Sequence, residues 1–177
     1  MEISEKYAPE IWEKICRLPF MVAIGMEGAG HSGLAGSARE RQATLHSILA
    51  ARTEFPGNPL VNAILSVHAE EEQALLAVME RHDAALEFLA ESGVQSARAL
   101  WGRILDCIRE VLPALEKREA GHTITDYTAW LRQIAERVAL AAKEGDFLGM
   151  GGVRFSKEEQ EYFRRLEATL QEFDRTS

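Results

Sequence analysis

Residues 95–119 read QSARALWGRILDCIREVLPALEKRE. Leu100, Ile104, Ile108, Val111 and Leu115 recur here every third or fourth position, which lines one face of a helix of 3.6 residues per turn. Pro113 falls inside the pattern and is expected to kink it, because proline cannot donate its backbone bond and crowds the preceding turn. Gly121 is expected to end the helix.

The same period extends in both directions from this stretch. On the N-terminal side, Leu75, Met79, His82, Leu86 and Leu89 form a helical stripe to about Glu91, with Gly93 as its stop. Pro56-Gly57-Asn58-Pro59 is a turn in which Asn58 caps a helix and Pro59 is its first residue. That helix runs through Leu65, then continues or breaks at Ser66. Leu34, Ala38, Leu45, Ile48, Leu49 and Arg52 suggest one helix ending near Glu54. Nearer the start, Pro9 opens a helix carrying Ile11, Ile15 and Leu18, and Pro19 is expected to end it. The apolar run Phe20 to Met26 then reads as a further buried helical segment.

On the C-terminal side, Thr123 to Asp126 fits a capping box ahead of Tyr127, Leu131, Ile134, Val138 and Ala141. Ser156 to Glu159 fits a second, ahead of Phe163, Leu166, Leu170 and Phe173. Two glycine clusters interrupt the periodicity: Gly25, Gly28, Gly30, Gly33 and Gly36, then Gly145, Gly149, Gly151 and Gly152. A break is expected near Gly30 to Gly33, since interior glycine disfavours helix. The stretch from Gly145 to Leu170, a glycine turn followed by a Ser-led capping box, resembles small bacterial helical domains of the tellurite-resistance type, and that likeness implies no activity. The expected fold is all-α, one domain over 1–177, a bundle of roughly six to eight helices with two glycine-rich breaks.

Composition bounds the function classes. Hydrophobic residues make up 46% and charged residues 27%, which is globular rather than disordered. A net charge of −8 repels phosphate backbones, so nucleic acid is not an expected partner. No apolar stretch approaches the ~20 residues that span a bilayer, so no membrane partner is expected. The start, Met1-Glu2-Ile3-Ser4-Glu5-Lys6, lacks the basic and apolar run of a signal peptide. Cys16 and Cys107 are far apart and fit buried free thiols in a reducing compartment. The expected location is cytoplasmic.

No complete catalytic or metal motif appears. Gly28-Ala29-Gly30-His31-Ser32-Gly33 matches the dinucleotide fingerprint literally, but no alternation of strands and helices follows it. His68 and Glu72 stand four apart and could share a helical face and a metal ion, which resembles one fragment of a hemerythrin-like site. The His-x-x-x-His partner of such a site is absent. Glu27 and His31 would lie one turn apart if the first helix continued through them, as a carboxylate orienting an imidazole. His82 falls on an apolar stripe, where a core histidine competes with a ligand. Arg154 stands in the second glycine cluster, ahead of a helix N-terminus that favours anions. Trp12, Trp101 and Trp130 read as packing residues or interface anchors.

Two expectations follow. In the first, the chain is a non-catalytic bundle acting through protein–protein contact or as a homo-oligomer. In the second, it binds a small molecule or metal near the Gly25–Gly36 break through Glu27, His31 and His82, with Arg154 as an anion contact, and an enzymatic role of unassigned reaction is a subset. No cofactor is specified by the sequence.

Overall fold

The computed structural model describes residues 2–29, 38–66, 68–144 and 156–174. It is all-α: among the described residues there is no strand. Among the described residues a 3-10 turn, Ile3–Lys6, precedes the helices α1 (Pro9–Glu27), α2 (Ala38–Leu49), α3 (Ala51–Glu54), α4 (Pro59–Leu65), α5 (Glu71–Glu91), α6 (Ala97–Glu116), α7 (Gly121–Glu144) and α8 (Lys157–Asp174).

The centre of the bundle is α1. It buries Ile15 and every residue from Leu18 to Met26, and it contacts α2, α5, α6, α7 and α8. A helical stretch that is apolar all round, as Leu18 to Met26 is, belongs in the core. Its interior proline is tolerated for a specific reason. Pro19 has no N–H to give the Ile15 carbonyl, and the Tyr127 hydroxyl of α7 donates to that carbonyl at 2.7 Å instead. The expectation that Pro19 ends the helix is therefore corrected: a tertiary donor replaces the lost bond, and the runs on either side of the proline are one helix.

Close approach at the far end of α1 depends on Gly25. A Cβ placed there would stand 2.5 Å from the Tyr162 hydroxyl of α8 and 2.6 Å from Ile104 Cδ1 of α6. The Gly25 carbonyl accepts a bond from the Trp101 indole at 3.1 Å, and Gly28 N–H donates to the Ile24 carbonyl at 2.9 Å. These bonds satisfy carbonyls that a helix end would otherwise leave open.

Polar contacts between helices show how they run. Lys14 pairs with Glu110, and Gly25 with Trp101, so α1 and α6 are antiparallel. Arg98 pairs with Glu161 and Arg109 with Glu172, so α6 and α8 run in the same direction. Asn58 caps α4 by accepting from Leu60 and Val61 N–H, while its Nδ2 donates to the Thr123 carbonyl of α7. Ser66 adopts φ 49° and ends α4, and Gly93, at φ 70°, follows the end of α5. The Ser156–Glu159 capping box is present in both directions: Glu159 accepts from Ser156 N–H at 2.6 Å, and Ser156 Oγ accepts from Glu159 N–H at 3.1 Å.

Several boundaries differ from the sequence reading. α6 stops at Glu116, and Gly121 starts α7 rather than ending α6, so Thr123 lies inside the first turn of α7. The helix expected to run to Glu54 is two, separated at Ala50. On α5 the buried line is Ala74, Val78, His82, Ala85 and Leu89, while Leu75, Met79 and Leu86 are half-buried. This line of α5 includes three small side chains, and the helix packs on α1 and α2. The expected break at Gly30 to Gly33, Leu34, and the cluster from Gly145 to Gly152 lie outside the described residues. No described helix is long and apolar enough to cross a membrane.

Candidate functional site

The last turn of α1, the middle of α2 and the middle of α5 meet around a buried histidine. His82 is 2% exposed, yet neither ring nitrogen makes a hydrogen bond among the described residues. Its Nε2 stands 3.5 Å from Glu27 Oε2, and its Nδ1 stands 3.8 Å from Asp83 Oδ1. Asp83 in turn pairs with Arg41 of α2. The other Glu27 oxygen, Oε1, accepts a hydrogen bond of 2.7 Å from the Thr44 hydroxyl. Thr44 is itself buried, and its carbonyl accepts from Ser47 Oγ at 2.7 Å.

Each member is placed by its helix. Glu27 closes α1, where the chain leaves the apolar core, so its carboxylate is 14% exposed. Thr44 sits between the core-facing Leu45 and the first half of α2. His82 occupies the buried line of α5, and Asp83, one residue on, reaches the surface at 50% exposure. The result is a row of polar groups from solvent to core: Arg41, Asp83, His82, Glu27, Thr44. An imidazole between two carboxylates can hold a proton on either nitrogen, or leave one lone pair facing Glu27. Burying polar groups without good bonds is costly, and His82 is a buried imidazole whose facing carboxylates, Glu27 and Asp83, stand beyond good hydrogen-bond distance.

The structure thus brings Glu27 and His82 together, whereas the helical spacing in the sequence paired Glu27 with His31. His31 and Arg154 lie outside the described residues. His68 and Glu72 are separated by structure: both are exposed, and His68 precedes α5, whose first residue is Glu71. The shared helical face expected for them is corrected, because the left-handed Ser66 turns the chain and helix does not resume until after Glu70. No group of three or more His, Cys, Asp and Glu side chains suited to one metal ion occurs among the described residues. Thr44, Asp83 and Arg41 could not be found from spacing. They reach the site through tertiary packing, and only the adjacency of Asp83 to His82 was visible in the sequence.

The two thiols are poor nucleophiles. Burial pushes the Cys107 thiol up to about 11, with Glu110 adding to the effect, and burial likewise raises Cys16. Cys16 is half-buried, Cys107 is buried, and both are free. Trp101 and Trp130 are core residues, and Trp12 stacks on Tyr7 with ring centroids 5.9 Å apart.

The chain matches no family model, no curated protein and no solved structure.

Proposed function

We propose that this protein is a ligand-binding helical bundle whose site is the Glu27–His82 cluster at the end of α1. The observation that carries this reading is the buried His82, without a hydrogen bond on either ring nitrogen, facing a partly accessible carboxylate. A site of this kind is a small set of convergent polar groups set into an apolar frame. A carboxylate beside an imidazole is also acid–base machinery, so catalysis would be a special case of this function. Two free thiols are in keeping with a cytoplasmic setting.

The test is native mass spectrometry of protein purified without added metal or chelator, set against its denatured mass. Stoichiometric excess mass that disappears in Glu27→Gln is the expected result. A bare chain mass in both forms would remove the reading.

A second reading, contact with another copy of the chain, draws on the apolar groove lined by Ile24, Leu86, Leu89, Val94 and Leu100. Against it, Leu76 and Leu140 are the large hydrophobic side chains that stand exposed among the described residues, and they lie on different helices. The same spectra decide it, since a clean dimer mass without added ligand would favour self-association.

A further inference from the structure

We infer that the groove between the end of α5 and the start of α6 binds a small organic cation with an apolar body. None of the described residues that line it belongs to the Glu27–His82 cluster, so the inference stands independently of the ligand reading above.

The shape of the groove comes from local chemistry. α5 ends at Glu91, and Gly93, at φ 70°, takes the left-handed conformation in which helices commonly stop. Its N–H donates to the Ala90 carbonyl at 3.2 Å, and beyond this turn Val94 lines the same groove as Leu89. A contact between those two positions often accompanies such a stop. Ile24 of α1, Leu89 and Leu100 of α6 are buried and form the floor. Leu86 and Val94 are half-buried at its sides, and Ala90 and Glu87 stand exposed at the mouth. The volume, about 460 Å3, falls within the roughly 300–1,000 Å3 of small-molecule sites.

Charge selects the kind of molecule. Glu87 is the charged residue among those lining the groove. Glu91, exposed as well, follows it by one helical turn, and the carbonyl end of α5, its negative pole, closes the same end. The guanidinium groups at the start of α6 are directed elsewhere. Arg98 reaches Glu161 of α8 at 3.9 Å. Arg103 lies 5.6 Å from the centre of the Phe88 ring, which it shares with Arg17 in a separate pocket. The mouth is thus negative on a chain of net charge −8, which attracts a cation and repels an apolar anion. A second copy of the chain suits the groove less well. It would need an apolar ridge to seat there, and Leu76 and Leu140, the large hydrophobic side chains exposed among the described residues, lie on different helices.

Probes that share one body and differ in the head group test this: decyltrimethylammonium, decanol and decanoate, each titrated by calorimetry below its micelle concentration. Decyltrimethylammonium should bind with one equivalent, roughly three- to tenfold more tightly than decanoate. Glu87→Gln should cut that preference by roughly threefold and leave decanol unchanged. Ala90→Phe sets a ring in the mouth at an exposed position and should abolish binding of all the probes, with circular dichroism checking the fold. Leu76→Ser removes an exposed apolar side chain elsewhere on α5 and should bind as the parent does. Absence of stoichiometric binding overturns the inference, as does decanoate binding as tightly as the cation. So does a preference that survives Glu87→Gln, which would place the charge readout elsewhere. Binding that persists in Ala90→Phe, or is lost in Leu76→Ser, overturns it by moving the site. Sedimentation velocity without any probe tests the other occupant: a dimer that Ala90→Phe dissociates would give the groove to a second copy and overturn the inference.

Discussion

At Gly25 the tolerance for one added carbon is close to nil, because Tyr162 and Ile104 already occupy the space. Gly25→Ala is expected to cost about 1–3 kcal/mol through overpacking, measured as a lower urea midpoint. Gly102 offers the opposite case. It lies within α6 with open space around a Cβ, so Gly102→Ala should stabilise by about 0.5–1 kcal/mol in the same assay. The sequence could rank neither, since both are glycines in helical stretches. The distinction belongs to the neighbours, and those are tertiary. The same holds at the site. Glu27 and His82 were legible as candidates one at a time, by residue type and position on a stripe. Their partnership was not, because the chain between them had to fold back before the two could meet.

Helices are the scale at which the sequence speaks most clearly, and the reason is local. Asn58-Pro59 and Ser156 to Glu159 carry their capping bonds within four residues, so the chemistry is complete in the sequence itself. Ser156→Ala is expected to cost about 1 kcal/mol, visible as a lower thermal midpoint, as loss of an N-cap does elsewhere. Pro19 is the counterexample, since its rescue comes from Tyr127, far along the chain. Tyr127→Phe should cost about 1–3 kcal/mol by leaving the Ile15 carbonyl buried and unbonded. If the compensation is as described, that cost shrinks in a Pro19→Ala background, where the restored N–H returns to Ile15. A double-mutant cycle on urea midpoints reads the coupling, and strictly additive costs would refute the compensation. On α5 the expected stripe holds at His82 and Leu89, while Ala74, Val78 and Ala85 are buried in place of Leu75, Met79 and Leu86, each one position on.

For the molecule as a whole, burial of ionisable groups sets an alkaline limit. Cys107 is pushed up to about 11, and burial raises Tyr127 and Tyr162 well above their ordinary range. The folded chain therefore keeps protons that the unfolded chain releases, and stability falls where the unfolded state binds fewer. Stability should be complete below the ordinary thiol range, then decline as the pH climbs from about 9 toward 11. Urea midpoints across that interval check it, and a flat profile would contradict the assigned burial. The architecture was predictable at this scale as a helical bundle, because helical periodicity recurs along the chain without an alternating strand pattern. Which helix lies at the centre was not, since α1 was read as two short pieces divided by Pro19.

The central place of α1 also has a consequence for how the chain is made. Translation delivers this apolar helix before the helices that cover it, and Tyr162, which packs on it, follows Val22 by 140 residues. At roughly 5–20 residues per second, the interval is on the order of ten seconds. Until α6 and α7 have followed, the stretch from Leu18 to Met26 lacks most of its permanent neighbours. Nascent chains arrested before α6 should accordingly be bound by chaperones or aggregate, and chains long enough to include α8 should be released.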